Sequence, residues 1–278
     1  PVAGMLAARY GKNFGVASLA TCIAALAAVP YIAIQLKAIS GSFDLFTRHL
    51  GGTSMDGEFV IADFSFLVAA ALGLFAVLFG TRHADATEHQ NGLILAVAVE
   101  SIVKLTAFLA VGISVTFVYF GSPADFFSVN QNNPSVAAAL SYQTPISTWL
   151  VLILLSGFAI ILLPRQFHVM IVENRDDREM RTAAWLFPLY LGAINLFVLP
   201  IAMAGHLHLP AGTPADLFVL ALPLTAGADW LSLLVFIGGL SAATAMVIVA
   251  SVALSIMISN DLVLPLVLRR YATKERSR

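Results

Sequence analysis

Six apolar stretches of membrane-spanning length, residues 14–39, 60–79, 93–120, 146–163, 183–204 and 229–258, fill most of this 278-residue chain. A helix needs about 20 residues to cross a hydrocarbon core of about 30 Å. Lipid offers backbone N–H and C=O groups no partner, so each stretch is expected to be helical. An all-α integral membrane protein with about six transmembrane helices follows. Composition agrees, with 59% hydrophobic and 11% charged residues and a mean hydropathy of +0.88. No soluble domain, low-complexity linker or short repeat interrupts the pattern, so residues 1–278 are read as a single membrane domain.

The net charge of −1 gives no overall field that would suit nucleic acid. The placement of basic residues says more. Arg9 and Lys12, then Arg82, then Arg165, Arg175, Arg178 and Arg181, then Arg269, Arg270, Lys274, Arg276 and Arg278 occupy alternate connections. The intervening connections, 40–59, 121–145 and 205–228, hold only Arg48. The excess of basic residues on cytoplasmic loops places both chain ends in the cytoplasm, which requires an even number of spans. The chain starts at Pro1 and stops in a basic juxtamembrane stretch, so N- and C-terminal parts of a larger protein are expected to be missing. Cys22, the sole cysteine, excludes an internal disulfide and reads as a packing residue.

Glu100 and Lys104 are the most unusual pair. They stand four residues apart on one helix face inside an apolar span. Each charge at that depth costs about 2.5–3.5 kcal/mol on insertion scales. Pairing, or proton transfer that leaves both neutral, offsets part of this, and both are expected to face the protein interior as ligand or proton candidates. Asn195, a third intramembrane polar residue, is a candidate for lining a cavity. Arg165, Gln166 and His168 end the fourth stretch on the basic side and are candidates for an inner gate. His83, Asp85 and His89 have spacing that fits no common metal site, so no resident metal or cofactor is expected.

Several strings resemble the sodium/solute symporter family. Arg9-Tyr10-Gly11-Lys12 looks like its inner stretch before the fourth helix, and Gly80 with Thr87, Glu88 and Asn91 looks like its signature entering the next inner helix. Gly238-Gly239-Leu240-Ser241-Ala242-Ala243-Thr244-Ala245-Met246 looks like its ion-holding helix. Gly80-Thr81-Arg82-His83 with Glu88-His89, Leu163-Pro164-Arg165-Gln166-Phe167-His168-Val169 and Ser259-Asn260-Asp261-Leu262-Val263 are most similar to the symporter-type membrane domain of bacterial sensor histidine kinases.

The resemblance implies a partial leucine-transporter-type inverted-repeat fold, core helices three to eight, in a bacterial inner membrane. It implies a domain that couples binding or flux of a small solute to a cytoplasmic kinase domain elsewhere in the parent chain. The alternative is a stand-alone secondary transporter moving a small solute with Na⁺ or H⁺. On this scheme Ala242 matches a carbonyl ligand of sodium, while Ala245 and Met246 stand where symporters place hydroxyl residues; Thr244 is the nearby hydroxyl. Glu88 matches an aspartate held to attract the ion near its cytoplasmic exit. The partners expected are the lipid bilayer and the solute, with no nucleic acid. No nucleotide-binding motif or phospho-acceptor histidine box is present, so catalysis by this chain is not expected.

Overall fold

A computed structural model describes residues 2–51, 64–75, 91–122, 125–126, 143–174, 176–210 and 212–267. The described residues are helical throughout, joined by turns. In chain order the helices are α1 (Val2–Arg9), α2 (Phe14–His49), α3 (Phe64–Phe75), α4 (Asn91–Tyr119), α5 (Ile146–Leu162), α6 (Pro164–Phe167), α7 (Asp177–His208), α8 (Phe218–Thr225) and α9 (Asp229–Ile258). Two π-helical turns, His168–Val172 and Ser259–Val263, continue α6 and α9.

Local chemistry sets the boundaries. Gly11 and Lys12 both adopt positive φ, 68° and 59°, to reverse the chain between α1 and α2. The Asn13 side chain then caps α2 by accepting from the Gly15 N–H at 2.8 Å. Asp176 caps α7 in the same way, accepting from the Arg178 N–H at 3.1 Å. Pro164 has no N–H to continue α5, so Leu163 turns extended and α6 departs at 51°.

Among the described residues, four helices are long and apolar enough to cross a membrane, and a fifth span results if the bent α5–α6 pair is taken as one. The protein is a helical multi-pass membrane protein on that basis. Of the sequence-read span 60–79, only α3 falls within the described residues. Two readings need correction. The connection 40–59 begins as helix, because Asp44 and Arg48 pair at 2.8 Å across one turn and carry α2 past its apolar part. The connection 205–228 is no simple return loop: α7 runs on to His208, and α8 lies buried through Phe218, Leu220, Ala221, Leu222 and Leu224.

α9 packs lengthwise against both α2 and α4, and α4 packs against α7. The main core joins α4, α7, α8 and α9 through Val111, Ile201, Met203, Leu222 and Val235. Small residues let these helices approach closely. Gly238 of α9 faces Ala107 and the Lys104 backbone of α4. Outside this core large apolar side chains face outward, and α5 buries none of its residues. Trp185, in the third turn of α7, and Trp230, in the first turn of α9, are both 85% exposed, as suits interfacial aromatics.

The chain's two outermost long helices are tied by polar bonds. Thr21, fully buried on α2, donates its hydroxyl to Asp261 Oδ2 at 3.0 Å, and Ser18 donates to the Asp261 carbonyl at 3.0 Å. Thr21→Val keeps the shape and removes the first bond. The expected loss is about 0.5–1.5 kcal/mol, the net worth of one hydrogen bond, because the half-buried Asp261 acceptor can turn to water. The thermal unfolding midpoint of detergent-solubilised protein checks it: Thr21→Val should fall below wild type, and Thr21→Ser should stay near it.

Candidate functional site

Two cavities lie between α4, α7 and α9, one toward each end of the bundle. The larger, about 700 Å³, is lined by Glu100, Ser101 and Lys104 of α4, Arg165 and Gln166 of α6, Tyr190 of α7, and Ala245 and Met246 of α9. The rest of its wall is apolar, from residues such as Val97, Leu186, Phe187 and Val249. The smaller, about 340 Å³, lies toward the opposite end of the same helices and is lined by Lys104, Ser42, Asp216, Gly238, Gly239 and Ala242 among others.

Helical spacing brings the α4 charges together. Lys104 Nζ stands 3.5 Å from Glu100 Oε1. The Glu100 side chain is 6% exposed and that of Lys104 26%, so both face the protein and the larger cavity rather than lipid. Arg165 enters the cavity because α6 bends away from α5 immediately before it. It donates from Nη1 to the Tyr31 hydroxyl at 2.6 Å, and its guanidinium carbon lies 5.3 Å from the centre of the Tyr31 ring. A tyrosine face and hydroxyl together hold the cation in one orientation. Tyr190 donates its hydroxyl to the Ser101 carbonyl at 3.3 Å, closing the side toward α7.

Six residues singled out from sequence therefore meet at one place: Glu100, Lys104, Arg165, Gln166, Ala245 and Met246. Ala242 lines the neighbouring cavity instead. Thr244 lines neither, and its hydroxyl donates to the Ser241 carbonyl of its own helix at 2.9 Å. Asn195 is exposed and satisfies its amide on the Leu191 carbonyl at 2.8 Å, so the cavity role expected for it is not met. His168 is buried in its π-helical turn, with Nε2 3.3 Å from Glu173 Oε1, and does not line the cavity with its neighbours Arg165 and Gln166. Glu88, with the segment 80–90 that carries the signature strings, lies outside the described residues.

Sequence reasoning did not single out Tyr31, Tyr190 or Asp216. Each tyrosine interrupts an apolar span and so carried a weak polar signal. Asp216 sat in a stretch read as a return loop. Among the described residues, no group of three or more His, Cys, Asp or Glu side chains is placed to hold a metal ion.

The arrangement combines an open, mostly apolar chamber with two cations and one carboxylate. A small solute with an apolar body fits the walls, and an anionic group finds Arg165 and Lys104. Comparison with family models, with curated proteins and with solved structures gives no match to this chain.

Proposed function

We propose that this chain is the membrane-embedded, symporter-like input domain of a bacterial sensor histidine kinase, coupling solute binding or flux to signalling. The observation that carries the reading is the meeting of Glu100, Lys104 and Arg165 with Ala245 and Met246 around one chamber. Of the strings that carry the resemblance, residues 163–169 supply Arg165 and residues 238–246 supply part of the small-residue helix that line it; Glu100 and Lys104 lie outside those strings. A partial inverted-repeat fold, both ends cytoplasmic and an inner-membrane location belong to the same proposal. Solute in the chamber shifts an equilibrium between inward- and outward-facing states only by binding them unequally. Movement of α9 relative to α4 then passes to whatever follows α9.

The loss of side-chain hydroxyls at Ala245 and Met246 favours sensing over sodium-driven uptake. A hard cation needs an oxygen shell, and methyl and thioether groups do not supply one. A second reading, a stand-alone secondary transporter, is favoured by the two cavities that meet at one intramembrane lysine.

Reconstituted protein tests both. Small amino and carboxylic acids are offered to proteoliposomes with a sodium gradient, with a proton gradient and with neither. Saturable binding that Arg165→Ala weakens at least tenfold, without accumulation, supports the sensor. Gradient-driven accumulation makes it a transporter. Neither binding nor accumulation overturns both readings.

A further inference from the structure

We propose that Glu100, Lys104 and Asp216 form a proton relay joining the two cavities, with Lys104 as the carrier shared by both. Its coupling role rests on the symporter-like reading above; the relay itself rests on geometry alone. Among the described residues only Lys104 and Ile194 line both cavities, and Ile194 has no proton to exchange. Lys104 Nζ lies 3.5 Å from Glu100 Oε1 on the side of the larger cavity. Asp216, exposed in the turn before α8, lies on the wall of the smaller one. That cavity has room for on the order of ten waters at about 30 Å³ each, and Asp216 and Lys104 both line it.

Among the described residues, the groups around the pair leave this route open to a proton. α6 presents Arg165, which does not deprotonate in proteins. α2 presents the Tyr31 hydroxyl, already accepting from Arg165, and α7 the Tyr190 hydroxyl, donated to the Ser101 carbonyl. α9 lines both cavities with apolar residues and glycines only, so it offers neither a competing acceptor nor side-chain oxygens for a metal cation.

Each step balances. In the resting pair Lys104 is an ammonium and Glu100 a carboxylate. An Nζ–H bond breaks and its proton passes to a Glu100 carboxylate oxygen, leaving amine and carboxylic acid, both neutral. The amine lone pair then takes a proton from water in the smaller cavity, which Asp216 replenishes from outside. Glu100 finally releases its proton to water in the larger cavity. One proton has moved between the faces and every group is restored. No oxidant, reductant or metal is required.

The test uses the full chain in proteoliposomes holding a pH-sensitive dye, with potassium and valinomycin to clamp the potential. After an external acid step, wild type should acidify the lumen at least tenfold faster than protein-free vesicles. Lys104→Arg is the decisive variant: it keeps the charge and the ion pair, folds as judged by its unfolding midpoint, and does not release its proton. It should fall to the protein-free rate, as should Glu100→Gln, and Asp216→Asn should slow acidification several-fold. Wild-type flux at the protein-free rate, or unchanged flux in Lys104→Arg, overturns the relay. Unchanged flux in Asp216→Asn overturns its entry point. Solute binding with no proton movement removes the relay and leaves the symporter-like reading standing. Proton movement with no solute bound by any assay does the reverse.

Discussion

Gly112→Ala is expected to lower the unfolding midpoint of this protein more than any other single methyl group added along α4. A β-carbon at Gly112 would fall inside the van der Waals shell of Phe197 Cβ and Cγ on α7. Those atoms lie at the root of the phenylalanine side chain, so rotation of the ring does not relieve the clash. The helices must separate instead, at the seam that carries both the main core and the cavity wall. Overpacking of this kind costs about 1–3 kcal/mol. Gly157→Ala supplies the contrast, because nothing lies within 4 Å of a β-carbon there and α5 buries no residue. Alanine in a helix interior is favoured over glycine by up to about 1 kcal/mol, so this variant should hold or gain stability. Thermal unfolding in one detergent compares the pair. If Gly112→Ala matches Gly157→Ala, the α4–α7 contact is looser than described. Phe197→Ala should recover part of the Gly112→Ala loss, since it removes Cγ and the ring and leaves only Cβ in conflict.

Glu100→Ala has the second large effect. It leaves the Lys104 ammonium without its partner beside an apolar wall. Removing one member of a buried pair costs about 3–5 kcal/mol, because the remaining charge is uncompensated. Lys104 is 26% exposed to a cavity that admits water, which places the loss at or below the lower end of that range. Glu100→Ala with Lys104→Ala should be more stable than either single variant, since no lone charge then remains. Chemical unfolding of all four proteins gives the coupling directly. Additive losses would mean that the two side chains do not stabilise each other, whatever their separation.

The long helices α2, α4, α7 and α9 were legible because apolar length is recorded in the chain itself. So was the end of α5, one residue from the close of the apolar stretch 146–163, while the bent α6 beyond it was not. The Glu100–Lys104 pair was legible for a related reason: spacing of four residues is a property of one helix. What joins different helices was not. Arg165 and Tyr31 lie 134 positions apart, and no periodicity links them. Thr21 and Asp261, 240 positions apart, are hidden in the same way. α8 was missed because eight residues are too few to read as a span, and its burial depends on neighbours from four other helices, α2, α4, α7 and α9. Asn195 misled because a polar side chain in a span can satisfy itself on its own helix, as it does here on Leu191.

The length of α2 has a consequence for how the domain sits in its bilayer. Its 36 residues rise about 54 Å at about 1.5 Å each, against a hydrocarbon thickness of about 30 Å. Spanning helices tilt by at most about 40°, and at that limit about 26 residues lie within the hydrocarbon. The first 26 residues of the helix, 14–39, are its apolar part; the remaining ten carry Asp44, Arg48 and His49. Even at full tilt about ten residues of α2, nearly three turns, therefore lie outside the hydrocarbon, divided between the end that Ser18 and Thr21 tie to Asp261 and the end that carries Arg48 and His49.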